Sequence, residues 1–236
     1  MRSPPAHLPL TALSLSDTVV LSLSDKEVAV IDTHDKQALA RLEVSRHACD
    51  LFWEQGVSAT SGDDIASAAG LSTRTVWRYF RSKEACVEPV LAVSAQRFLT
   101  LAHQWPAELS LADHMAAYTA ANPLDDEEIA DVRRALRITA VSVDEPALRT
   151  SYLMVHDQME RDFIPVVAER LQLPQQHLTV RLCAAAVTGA FRVIDEDVGR
   201  RVILEDETVS QEEALDLIDR AVRDATNGRF GGPVDT

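Results

Sequence analysis

Residues 60–80 read TSGDDIASAAGLSTRTVWRYF, and the spacing within this stretch decides the fold. Ser61 stands three residues before Asp64, where a hydroxyl accepts from a free helix N–H and the carboxylate reaches back to the cap. Ile65, Ala66 and Ala69 give a short apolar face before Gly70, which permits the left-handed turn that stops a helix. Ser72 caps a second short helix through Tyr79. Ala66 falls where two such helices cross and a small side chain is needed, and Val76, on the second helix, packs against the first. Ile65, Ala69 and Leu71 complete the expected miniature core, the specification of a helix-turn-helix. The outward face keeps Thr73, Arg74, Trp77 and Arg78, preceded by Ser72. Donors, two cations and a flat ring suit a major groove lined with phosphates and base edges. The alanine-to-glycine spacing alone also occurs in helical hairpins that bind no DNA, so the three serine caps and the local charge add the weight.

That charge is local. The 236-residue chain carries a formal net charge of -14, which taken globally argues against a nucleic-acid partner. The acidity lies behind the motif: residues 92–236 hold 14 basic and 25 acidic side chains, whereas residues 72–83 hold Arg74, Arg78, Arg81 and Lys83 and no carboxylate. A basic island therefore coincides with the motif. Upstream, Leu39, Leu42, Ala48, Leu51 and Phe52 form an apolar stripe ending at Gly56, which predicts a first helix over 36–55. Downstream, Ser82 predicts the cap of a longer helix opening at Lys83, with Pro89 in its second turn as a kink or hinge.

Beyond residue 105 the helical period continues, with helices expected near 110–121, 126–142, 146–171, 175–197 and 210–226, and no strand run. Trp105-Pro106, Asn122-Pro123 and Leu173-Pro174 mark connections, because the residue before proline avoids the helical region. Ser210 and Glu213 predict a capping box, with Leu215, Ile218, Ala221 and Val222 on one face behind it. The acidic runs 125–128, 195–197 and 205–207 read as solvated caps and loops. Residues 1–34 differ in period: Leu-Ser-Leu-Ser-Asp occurs twice, at 13–17 and 21–25, in a strand-like alternation. An isolated ribbon is marginal in water, so a mobile extension is expected there, with no signal peptide and no membrane span. Cys49, Cys86 and Cys183 are far apart and fit neither a disulfide framework nor a metal site, which suits a cytoplasmic protein without cofactors.

With helix one and the entry to helix four included, the stretches FWEQG at 52–56, TSGDDIA at 60–66, AGLS at 69–72, TVWRYF at 75–80 and SKE at 82–84 resemble the DNA-binding domain of TetR family transcriptional regulators. The resemblance covers about 41–91. It implies an all-α homodimer: residues 35–82 form a three-helix DNA-binding domain, residues 83–228 a helical regulatory and dimerisation domain, and 229–236 a tail. It implies a double-stranded palindromic operator, a small-molecule effector of unspecified identity and, most simply, repression relieved by that effector. By the same resemblance Thr60, Ser61 and Lys83 fall on phosphate contacts, and Ser72, Thr73, Arg74 and Thr75 on the start of the recognition helix. Trp77, Arg78 and Tyr79 complete the set, Trp77 standing where the family usually has tyrosine and leaving only an indole donor.

In the C-terminal part, Tyr152, Val155, His156, Met159, Phe163 and Val166 recur at helical spacing, as ordinary core or as the wall of an apolar effector pocket. Phe98, Trp105, Tyr118 and Arg137 are weaker pocket candidates. The small-residue run from Cys183 to Phe191 permits close helix approach, within the chain or, as the resemblance implies, across a dimer. No hydrolase, nucleotide-binding or metalloprotease motif occurs, and an enzyme is not expected. The alternative function is a helical small-molecule-binding or interaction module that does not bind DNA.

Overall fold

The computed structural model describes residues 33–234. The extension expected over 1–34 therefore lies outside the described residues, except that Thr33 and His34 already belong to helix α1 (Thr33–Gln55). Helix α1 buries Val44, Ala48, Cys49 and Phe52 in one stripe and stops at Gly56, with φ at +88°. Leu39, expected on that stripe, is exposed: it lines a surface groove shared with later helices instead of the core.

Helices α2 (Gly62–Ala68) and α3 (Thr73–Tyr79) cross as their spacing predicts, with Ile65, Ala66 and Val76 buried at the contact and Gly70 at a φ of +64°. Ser61 and Asp64 cap α2 reciprocally, and the Thr75 N–H donates to Ser72 Oγ at 3.2 Å. Leu71 departs from expectation. Its N–H returns to the Ala66 carbonyl at 2.9 Å, and its side chain stays at the surface instead of completing the small core.

The long helix expected from Lys83 begins differently. Ser82 caps a 3₁₀ turn, Glu84–Val87, and the α-helix proper, α4, spans Glu88–His103. Pro89 thus falls in the first turn, where its missing N–H removes no intrahelical bond, so neither kink nor hinge is required. The segment Glu84–His103 is apolar and long enough to span a membrane by composition, but more than half of it is buried as core. Helices α5 (Leu111–Ala121), α6 (Asp126–Ser142), α7 (Pro146–Leu171), α8 (Leu178–Gly199) and α9 (Gln211–Thr226) follow, with a π-helical turn at Arg200–Leu204. There is no strand among the described residues.

Two apolar clusters hold these helices. One joins Phe98, Met115, Phe163, Phe191 and Ile218 from α4, α5, α7, α8 and α9. The other joins α1–α3 to Val90 and Leu91 of α4, Ala135 and Ile138 of α6, and Leu148 and Tyr152 of α7. The segment 35–82 therefore has no closed core of its own. The tail is also integral: Phe230 is buried against Trp105 and Phe163, the Leu111 N–H donates to the Gly231 carbonyl at 2.8 Å, and Arg170 Nη2 donates to the Gly232 carbonyl at 3.0 Å.

The acidic runs at 125–127 and 205–207 are exposed, in a helix cap and a loop, whereas 195–197 lies within α8, and several of these carboxylates also hold ion pairs. Glu128 completes the cap of α6 with Asp125 and lies 2.7 Å from Arg97, while Glu196 holds Arg149 at 2.8 Å and Arg192 at 2.7 Å. Glu207 meets Arg201 at 2.7 Å, and the Glu213 carboxylate, expected in a capping box, also turns to Arg201, at 2.8 Å. Beside these runs Asp131 of α6 receives Arg46 Nη2 of α1 at 2.7 Å and Arg134 Nη1 at 2.9 Å, and Arg134 Nε returns to Asp50 of α1 at 3.0 Å. Opposite charges alternating between two helices fix α1 against α6. In the small-residue run, Cys183, Ala184, Val187 and Phe191 face inward, whereas Leu178, Leu182 and Val193 on the other side of α8 remain 65%, 61% and 56% exposed.

Candidate functional site

Two features stand out: the outward face of α3 and a cavity among α4, α6, α7, α8 and α9. On α3, Arg74 is exposed and makes no hydrogen bond or ion pair among the described residues. Arg78 is exposed over the Tyr79 ring, 5.1 Å from its centroid. Ser72 Oγ and Thr75 Oγ1 are 2.8 Å apart at the helix start, and Thr73 donates to Asp63 at 2.6 Å, which ties α3 to α2. Trp77 is 44% exposed and sets the edge of its six-membered ring against the start of α2: a Cβ placed on Gly62 would come within 2.0 Å of its Cζ2. Gly62 is therefore the partner of Trp77, a pairing that neither residue announces in the sequence.

Two expected contacts, Thr60 and Lys83, are placed differently, and Arg81 of the basic island is paired. Thr60 is buried, and its hydroxyl donates to the Gly56 carbonyl at 2.8 Å, so it closes the α1–α2 turn. Lys83 stands ahead of the 3₁₀ turn, not in the first turn of an α-helix. Its Nζ donates to the carbonyls of Val57 at 2.6 Å and Thr60 at 2.8 Å, which spends two of its three donors inside the chain. Arg81 Nη1 donates to Glu88 at 2.9 Å. Of the four cations in the basic island, Arg74 and Arg78 are thus the ones left with neither a carboxylate nor a carbonyl partner among the described residues. Ser61 remains at the surface, its hydroxyl 2.7 Å from Asp64.

The cavity has a volume of about 150 Å³. Of the pocket candidates, Phe98, Tyr152, Val155, His156 and Met159 line it, together with Phe191, Thr139 and Asp195. The others lie elsewhere. Phe163 is fully buried against Phe98 and Phe230, and Trp105 is covered by the Arg170 guanidinium 3.3 Å from its ring centroid. Arg137 rests on Trp53, 5.1 Å from its centroid, and Tyr118 neighbours His114 on α5. Burial, with Arg192 and Arg149 nearby, depresses the His156 imidazole to about 4, so it is neutral at physiological pH, and its Nδ1 is buried without a partner. Burial raises the Tyr152 phenol well above its usual range.

Asp195 is the cavity residue that sequence reading missed. It lies one turn after Phe191 and one turn before Val198, both buried, and it lines the cavity while remaining an exposed residue of α8. A charge in register with a buried stripe was the available signal, and its place at the head of an acidic run, before Glu196 and Asp197, concealed it.

Residues 46–90 match the family described as bacterial regulatory proteins, tetR family, and residues 111–228 match the MftR C-terminal domain. MftR of Mycobacterium tuberculosis, named as a mycofactocin biosynthesis transcriptional regulator, is 32% identical over 96 residues, 40% of this chain and 48% of that protein, so the match spans just under half of the relative's length. The HTH-type transcriptional regulator TcmR of Streptomyces glaucescens is 29% identical over 186 residues, covering 75% of this chain and 82% of its own. In fold, a tetR-family transcriptional regulator from Streptomyces coelicolor aligns with a TM-score of 0.51 at 16% identity, over 80% of this chain and 82% of that one.

Proposed function

Because the chain belongs to the tetR family of bacterial regulatory proteins, we propose that this transcriptional regulator is a repressor: a cytoplasmic homodimer that holds a palindromic operator through α3 and releases it when a small molecule fills the cavity. The observation that carries the reading is the outward face of α3, where Arg74 and Arg78 are exposed and have no carboxylate partner among the described residues. Arginine in this position offers bidentate donors to a guanine edge, and Ser72, Thr73 and Thr75 supply further donors at the helix start. Trp77 replaces a phosphate-binding hydroxyl by an apolar face suited to thymine methyls. Lys83 and Thr60 support the domain from inside, by closing the turn that aims α2 and α3.

A two-fold operator requires a two-fold protein. The exposed line Leu178, Leu182 and Val193, with Ala185, Ala186 and Gly189 between them, supports α8 as the face that a second copy covers. The cavity supports the effector role, being mostly apolar with a few polar groups.

The test is selection of duplexes from a random pool, followed by mobility shifts at fixed salt. The wild-type chain is expected to select an inverted repeat, and Arg74→Ala to lose about 1–3 kcal/mol on that site and relax its specificity. Failure to retain any duplex at low salt would leave the interaction-module alternative. A mass equal to one chain at micromolar concentration would refute the dimer.

A further inference from the structure

Of the two charged side chains that line the cavity, Arg97 and Asp195, Arg97 is ion-paired to Glu128 and Asp195 is not. Asp195 makes no hydrogen bond and no ion pair among the described residues, and the cavity it lines is walled mainly by apolar side chains. Other charges near the cavity are balanced. Arg97 of α4 lies 2.7 Å from Glu128 of α6, and its Nε and Nη1, although unpartnered, are covered by protein. Arg149 of α7 and Arg192 of α8 both bind Glu196. His156 of α7 is neutral, and α6 and α9 contribute no titratable side chain to the wall. The same cavity is lined by aromatic rings from three helices: Phe98 and Phe191 with centroids 4.1 Å apart, and Tyr152 and His156 at 4.5 Å.

An unpaired carboxyl among aromatic faces is a recognition set for an organic cation, because the carboxylate supplies the counter-charge and the ring quadrupoles attract the ammonium from the sides. An anion would meet the Asp195 charge without an accessible counter-ion. Resting on the effector reading above, we propose that the cavity takes a small apolar molecule carrying one basic nitrogen, with Asp195 as its counter-ion. Size follows from volume: a cavity of this measure holds a molecule on the scale of benzene, so the body is roughly six to ten non-hydrogen atoms. On the α4–α7 side a surface groove of about 690 Å³ adjoins the cavity, sharing Ala95, Val155 and Met159 with its wall.

The affinity carries a pH signature. Burial, and the repulsion of Glu196, push the Asp195 carboxyl up to about 7. Pairing with an ammonium requires the ionised form, so affinity for an amine rises about tenfold between pH 6 and pH 8, while a neutral isostere shows no such slope. His156 stays neutral and the arginines stay charged throughout that range, so neither imitates the trend.

The experiment is calorimetric titration of the full chain with three probes of similar shape: phenethylamine, phenethyl alcohol and phenylacetate. Phenethylamine is expected to bind at least about tenfold more tightly than phenethyl alcohol at pH 8, and Asp195→Asn to make the two equal. Asp195→Leu serves as a second variant, which removes the charge and the hydrogen-bonding oxygens together: the folded chain, checked by its melting temperature, is expected to lose the preference for the amine. Equal binding of amine and alcohol by the wild type, tightest binding of phenylacetate, or binding of none of the three would overturn the assignment. Operator binding is measured in parallel. If the amine binds in the Asp195-dependent way but leaves the operator complex intact, the repressor-release reading fails and the ligand assignment stands.

Discussion

Replacing Asp131 tests whether the junction of α1 and α6 holds the DNA-binding helices in place. Three guanidinium donors converge on this buried carboxylate: Arg46 Nε at 3.0 Å, Arg46 Nη2 at 2.7 Å and Arg134 Nη1 at 2.9 Å. Hydrogen bonds to charged groups contribute about 1.5–3 kcal/mol each, and stripping one partner from a buried pair costs about 3–5 kcal/mol. Here the stranded cations keep other carboxylates: Arg46 keeps Glu127 and Glu43, and Arg134 keeps Asp50. The expected cost of Asp131→Ala is therefore at the lower end, about 2–3 kcal/mol, and that of Asp131→Asn, which retains an acceptor oxygen, about 1–2 kcal/mol. Urea unfolding checks both values. Because the junction is largely shielded, the losses should persist at about 0.5 M salt, where exposed pairs are screened. A cost for Asp131→Ala below about 0.5 kcal/mol, the level of an ordinary surface substitution, would refute the claim that this network holds the two helices together.

Gly62→Ala should displace the Trp77 indole, shifting its fluorescence to the red and weakening operator binding, and Trp77→Tyr in the same chain should restore room; unchanged fluorescence in the single variant would contradict the packing. Lys83→Met keeps the apolar stem but leaves the Val57 and Thr60 carbonyls without their donor, so a stability loss of about 1–3 kcal/mol is expected in urea, with the salt slope of DNA binding nearly unaltered. A slope reduced by about one, without loss of stability, would return Lys83 to the phosphates. His156, depressed in the folded chain to about 4, binds its proton more tightly when unfolded. Its contribution is therefore complete above the ordinary imidazole range and is lost as pH falls towards about 4. Melting temperatures of His156→Gln and wild type should converge along that descent, and parallel curves from pH 8 to pH 4 would refute the assignment.

The elements that the sequence makes legible are those set by near neighbours. Ser61, Gly70, Ser72 and the prolines place helix ends within a few residues, because a cap or a blocked N–H acts within one turn. What failed was direction at long range. Lys83 looks like a surface cation in one dimension, yet its stem reaches carbonyls 23 and 26 residues away. Pro89 looks like a break until the preceding residues take a 3₁₀ turn and move the helix start onto it. Leu39 and Leu71 match an apolar stripe, but a stripe is buried only where another helix covers it.

The arrangement of α6 shows how one helix can serve both sites. Asp131 and Arg134 bind α1, while Val132, Ala135, Leu136 and Thr139 form cavity wall, so the two sets interleave within three turns of one helix. Close packing makes such a helix move as a body: a molecule that displaces Val132 or Leu136 also displaces Asp131. A shift of this kind favours release only if the molecule binds the displaced form more tightly, and a hundredfold loss of operator affinity corresponds to about 2.7 kcal/mol of that difference. This is comparable to the value expected for the Asp131 junction. A junction much stronger than the ligand's differential affinity would hold α1 in place whatever filled the cavity, and one much weaker would let α1 drift without a ligand, so a working switch requires the two energies to lie close together.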